Sequence, residues 1–314
     1  MKLFSLAALV GAALILAPAA SAQYTLDIDP GASSFTWSAN AAAVGTVQEC
    51  GTGNTVGSFQ VDGTMSVALD PHNGALSCGK LYGSQGFTIP TLLCGRIPNP
   101  IPFLPDLARI EIDGAVMDAQ TAPFDIDAVG DFTTMAVLGF TAGVVTIDPF
   151  VGETTVIPLA GLQGEPTPID GNIVDNAGTI EGSVPVDIVI DTPDMFFSLA
   201  GTLVGSAPAI ANFSLNVGAL TAGTDGTFDV SGADANAVCH LAYSTTGAGC
   251  TAVDFLNTVV SLNAPVLVGA TITTDAAGSG SWTLPIPAGT TGVTVSFQAS
   301  HLDRTSNVVT TTIL

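Results

Sequence analysis

Basic residues are nearly missing from this chain: Lys and Arg together number five against 27 Asp and Glu, a formal net charge of −22. Such a surface repels phosphate backbones and anionic headgroups, so nucleic-acid binding and peripheral membrane binding are not expected. Its plain consequence is to keep an otherwise apolar chain in solution. The catalytic and metal motifs that a sequence can display are also missing. There is no G-x-S-x-G elbow, no H-E-x-x-H and no C-x-x-C, and the histidines (His72, His240, His301) are scattered. Gly51–Gly57, GTGNTVG, fits neither phosphate-binding pattern and precedes a strand, so it reads as a loop. A carboxylate pair for glycoside hydrolysis is a spatial feature that sequence does not reveal. No enzyme, cofactor or metal site is therefore expected.

What is present starts with a leader. MKLFSLAALVGAALILAPAASA has one cation, Lys2, an apolar run from Leu3 to Leu16, and Ala20-Ser21-Ala22. This is the pattern of a secretory signal peptide, and the run is too short to span a bilayer, which takes about 20 residues. Cleavage after Ala22 would leave Gln23 first and no integral membrane segment. The product is expected to be secreted, periplasmic or on the cell surface.

Beyond the leader, 47% of the chain is hydrophobic, and Gly, Thr, Val and Ala outnumber the helix formers. Short alternating runs separated by turn dipeptides predict an all-β protein. In VGSFQVDGTMSVALD, Phe59, Val61, Met65, Val67 and Leu69 recur at period two around Asp62-Gly63, which reads as a tight turn or a bulge. Asn73-Gly74, Asp113-Gly114, Asp170-Gly171 and Asp225-Gly226 repeat the signal. Residues 1–22 form the leader and 23–205 an antiparallel β-barrel or β-sandwich. Residues 206–212 form a linker, and 213–314, with about seven short strands, an immunoglobulin-like sandwich.

In an exported chain the cysteines are expected to pair. Cys239 and Cys250 stand alone in the second module and are expected to bond to each other; pairing among Cys50, Cys78 and Cys94 stays open. DIDAVGD places Asp125, Asp127 and Gly130 at calcium-loop positions, but Val129 and Ala136 stand where ligands are required, so a solvated turn is expected. Asp27, Asp29, Asp191 and Asp194 read likewise. IPNPIPFLPDL sets Pro98, Pro100, Pro102 and Pro105 among Ile97, Ile101, Phe103 and Leu104. Proline cannot donate to a ladder, so this stretch is expected to be a stiff connector. It would lay its apolar side chains across an open end of the first domain, or act as a lid if that end holds a cavity.

Two resemblances add to this. FSLNVGALTAGTDGTFDVSGADANAVCHLAYSTTGAGC and LVGATITTDAAGSGSWTLPIPAGTTGVTVSFQASHLDRTSNVV resemble an Ig-like sandwich appended to exported planctomycete and myxobacterial proteins of unknown function. DPGASSFTW followed by GSFQVDG is similar to the opening of the YceI-like polyisoprenoid-binding family, with Ala32 in place of a histidine. That resemblance implies an antiparallel barrel around a long apolar ligand. The expected function is a non-catalytic structural or adhesive role with an extracellular or cell-surface partner. The alternative is an extracytoplasmic carrier of an isoprenoid- or lipid-like small molecule.

Overall fold

Along Gly57–His72 the side chains of Val61, Met65, Val67 and Leu69 are buried on one face, as period-two alternation dictates for a pleated strand. The computed structural model describes residues 23–41, 45–72, 75–101, 103–191, 195–210 and 212–314. Its first half is built on β1 (Tyr24–Ile28), β2 (Ser34–Ala41), β3 (Gly57–His72), β4 (Ala75–Ile89), β5 (Ala108–Thr121), β6 (Asp131–Pro149), β7 (Thr167–Asn176), β8 (Thr179–Asp191) and β9 (Met195–Pro208). From β3 to β9 each strand is antiparallel to the next, and β1 and β2 together fill the position between β9 and β3. The sheet thus closes on itself. Of the two architectures expected, this is the barrel. The narrowest seam joins β4 to β5 through Gly86↔Met117 and Phe87↔Val116 alone.

The barrel is filled by its own side chains. Phe35 stacks on Phe59 with ring centroids 5.4 Å apart, and Phe124 on Phe132 at 4.1 Å. Leu26, Ile173, Ile180 and Leu203 pack around them; each such burial contributes about 1.5–3 kcal/mol. All four Asp-Gly steps prove to lie within strands, and two of them show why glycine is there. A Cβ at Gly171 would come within 2.4 Å of the Phe132 ring, and one at Gly63 within 1.8 Å of the Gln85 carbonyl. These glycines make room for close approach across the sheet; they do not turn the chain. Asn73-Gly74 lies outside the described residues, between the paired His72 and Ala75.

Past the barrel, β5 and β6 continue together as a blade flanked by strands Leu92–Ile97 and Thr155–Pro158. Cys50 bonds Cys94 on the flanking strand Leu92–Ile97.

The second half is a sandwich with its own core, centred on Phe228, Leu241, Trp282 and Phe297. Its strands are β10 (Ser214–Val217), β11 (Asp225–Ser231), β12 (Val238–Ser244), β13 (Val266–Thr273), β14 (Gly280–Pro285), β15 (Thr294–His301), β16 (Arg304–Thr305) and β17 (Val309–Thr312). One sheet holds β10, β11 and β14; the other holds β13, β12 and β15 with β16 and β17, the immunoglobulin-like arrangement. The barrel's last strand runs on to Pro208, so Ser206–Pro208, expected as linker, are strand.

Between β12 and β13 a small hairpin, Thr251–Val253 with Thr258–Val260, leaves the sandwich. It carries Cys250 to Cys78 on the outer face of β4, with Cα atoms 5.2 Å apart. The expected Cys239–Cys250 bond does not form. Cys239 points into the sandwich core, wholly buried and free. Burial, with Asp234 secondarily, pushes its thiol up to about 11, so it behaves as a small apolar core residue.

Candidate functional site

The sequence-based candidates do not converge. The proline-rich segment does not cross the barrel. Only Ile97 is buried, as the last residue of its strand, where it accepts the Leu107 amide at 2.7 Å. Ile101, Leu104, Pro100 and Pro105 are exposed, Pro98 is half-buried, Pro102 lies outside the described residues, and Phe103 is 105% exposed. The expected connector or lid is corrected accordingly. Because Ile97 pairs with Ala108, the stretch between them closes as a loop at the blade tip. It satisfies its own backbone: Asn99 Oδ1 accepts Ile101 N at 3.0 Å, and Asn99 Nδ2 donates to the Pro105 carbonyl at 3.1 Å.

In the DIDAVGD turn, Asp127 Oδ1 accepts the amides of Val129 and Asp131, both at 2.9 Å. This is a self-capped turn. Asp29 Oδ1 accepts Gly31 N at 2.8 Å in the same way. The Asp191 side chain and Asp194 lie outside the described residues. Among the described residues no three His, Cys, Asp or Glu side chains could jointly hold a metal ion.

The barrel interior retains a void of about 20 Å³, lined by Leu26, Met65, Leu81, Phe124 and Phe132 among others. Ligand sites run to roughly 300–1,000 Å³. As packed, the barrel has no room for the apolar cargo of the carrier expectation.

The structure concentrates its buried polar groups where the two domains meet. On β3, Val67 and Leu69 point inward while Ala68 and Asp70 point outward; all four are buried, because the hairpin from the sandwich covers the outer face. Asp70 Oδ2 accepts Gln298 Nε2 at 2.6 Å and Ser261 N at 2.8 Å, and its Oδ1 accepts Thr305 Oγ1 at 2.6 Å. Burial raises the Asp70 carboxyl above its ordinary range, while these donors pull the other way. Around this centre Ser77 Oγ meets Ser261 Oγ at 2.9 Å, and Lys80 pairs with Asp254 at 2.6 Å.

Beside this junction runs a groove of about 550 Å³. The barrel side contributes Gln23 and Ile210; the sandwich contributes Asp234, Ala235, Ala237, Val238, His240, Leu256, and the turn His301–Arg304. Arg304 is held by Asp234 at 2.6 Å. His301 is 2% exposed, lies over Phe213 with centroids 5.1 Å apart, and donates Nδ1–H to the Leu302 carbonyl at 3.0 Å. That bond fixes the tautomer and leaves Nε2 as an acceptor. Burial lowers the pKa of both His301 and His240, keeping the rings neutral at pH 7.

Several polar atoms here have no hydrogen-bond partner among the described residues: Gln23 Nε2, His240 Nδ1, His301 Nε2 and Asp303 Oδ1. An unsatisfied buried group costs about 1–3 kcal/mol, a cost that ordered water or a bound molecule would relieve. No sequence signal marked the cluster. The histidines are 61 positions apart by number (301 − 240), and Gln23 comes from the other domain. The array offers hydrogen bonds and apolar walls but no activated nucleophile.

No known family and no curated protein sequence matches this chain. Among solved structures, Escherichia coli alpha-2-macroglobulin activated by porcine elastase aligns over 91% of this chain at 10% identity and a TM-score of 0.21. The chain spans 32% of that protein's length, and a likeness at this level carries no argument about fold or function.

Proposed function

We propose that this chain is an exported, non-catalytic two-domain β protein with a structural or adhesive role at the cell surface. The observation that carries the reading is the Cys78–Cys250 bond, which ties a barrel packed solid with side chains to an Ig-like sandwich. A disulfide of this kind belongs to an oxidising compartment. No helix among the described residues is long and apolar enough to cross a membrane. A filled barrel serves as scaffold, and it weighs against the carrier alternative.

The test is fractionation of cells producing the full chain, combined with deletion of its gene. The expected results are oxidised protein in the medium or envelope, weakened surface attachment or envelope integrity in the deletion, and no turnover of ester or glycoside panels. Cytoplasmic retention, an unaltered deletion strain, turnover of a panel substrate, or a lipid co-purifying in stoichiometric amount would overturn the reading.

A further inference from the structure

The interdomain groove keeps polar atoms that the fold does not use, and their kinds restrict what can satisfy them. His301 Nε2 and Asp303 Oδ1 accept, Gln23 Nε2 donates, and His240 Nδ1 can do either. We propose that this groove binds a neutral, hydroxyl-rich ligand the size of a disaccharide, a unit of a surface glycan; this deepens the adhesive reading and rests on it.

Three observations select that chemistry. First, a hydroxyl both donates and accepts, and so can satisfy acceptors and donors lying together; a phosphate or carboxylate can only accept. Second, charge argues for neutrality. The net charge of −22 repels anions, and the Arg304 guanidinium in the same groove, which could hold one, is already neutralised by Asp234. Third, the walls between the polar atoms are apolar, with Ile210 and Leu256 on facing domains. Phe255 is exposed and sets its ring edge-on to His240, centroids 5.4 Å apart, at the groove's margin. The C–H face of a pyranose suits such walls while its hydroxyl rim reaches the polar atoms. The volume of about 550 Å³ falls within the range of small-molecule sites.

His301 is also pre-set. Its ring is clamped by Phe213 and by the Leu302 carbonyl, so Nε2 is presented in a fixed direction. Asp303, in the left-handed region at φ 60°, is held through its amide on the Leu256 carbonyl at 2.9 Å.

The experiment titrates the mature, oxidised full chain with cellobiose, maltose, lactose and N,N′-diacetylchitobiose, read by saturation-transfer NMR. At least one of these sugars is expected to give transfer. His301→Phe, which keeps an aromatic ring over Phe213 but deletes Nε2, is expected to weaken binding about tenfold. Ala235→Trp, at an exposed position of the wall, is expected to fill the groove and abolish transfer with the unfolding midpoint unchanged, which guards against misfolding of the His301 variant. No transfer from any of the sugars, or transfer that survives Ala235→Trp, overturns the proposal and leaves a groove that holds water only. If attachment still depends on the protein in that case, the adhesive reading stands on another surface.

Discussion

Asp70 Oδ2 lies 2.6 Å from Gln298 Nε2, on opposite domains and with neither side chain exposed. Gln298 continues the network, donating also to the Ser306 carbonyl at 2.9 Å and accepting Ser261 N at 2.9 Å. Removing the carboxylate leaves buried donors facing no acceptor. Asp70→Ala is therefore expected to destabilise the chain by about 2–3 kcal/mol. Asp70→Asn, whose amide oxygen still accepts, should be milder. Urea unfolding of the full oxidised chain checks both values.

Non-reduced peptide mapping should recover Cys50 linked to Cys94 and Cys78 linked to Cys250, with Cys239 as the free thiol. The cross-domain bond closes a separation of 172 residues against 44 for the other. In the chain-entropy account the longer closure stabilises by up to about 5 kcal/mol, and the shorter by about 4. The Cys78→Ser, Cys250→Ser double variant should show the larger loss. Recovery of a Cys239–Cys250 peptide would contradict the structure.

Phe103→Ala is expected to leave the melting temperature within error, because the ring stands in solvent at the blade tip. Ile97→Ala, six residues earlier by number (103 − 97), removes a side chain buried against Val47 and Ala39 and should cost about 2–5 kcal/mol. Thermal unfolding of the pair separates a loop tip from a strand end. Equal losses would mean that the tip is packed.

Stability should fall as the pH drops below His301's ordinary pKa of 6.5. Burial depresses the folded pKa, and nearby Asp234 and Arg304 act on it in opposite senses. Below 6.5 the unfolded chain takes up a proton that the folded ring refuses, so stability is lost until the folded pKa is passed. Asp70, raised by burial, works in the other sense, favouring the fold at acid pH and losing that contribution as pH rises from 3.8. The His301 share is isolated by His301→Phe, which should reduce the difference between about pH 7.5 and pH 5.5 and leave the share of His240, whose pKa burial also lowers. An identical pH slope in the variant would exclude His301 as its source.

Period-two alternation is a local property, so the sequence by itself determined that this is a chain of strands and which faces pack inward. Val61, Met65, Val67 and Leu69 were legible because each pleat reverses the side chain. Whether the first sheet closes was not. Closure depends on β5 meeting both β4 and β6, and strand pairing is long-range. The cysteine pairing and the fate of the proline segment were decided the same way. Nearness in sequence favoured Cys239 for Cys250, but Cys239 faces its own core while the hairpin carries Cys250 to the barrel. Apolar content suggested burial for Phe103, but the pairing of Ile97 with Ala108 left the loop between them no wall to lie on. Asp70 and Ala68 occupy outward positions that alternation alone assigns to solvent. They are buried because a second domain covers them, and the groove exists only where that covering ends, since burial is a property of the whole surface and not of the strand.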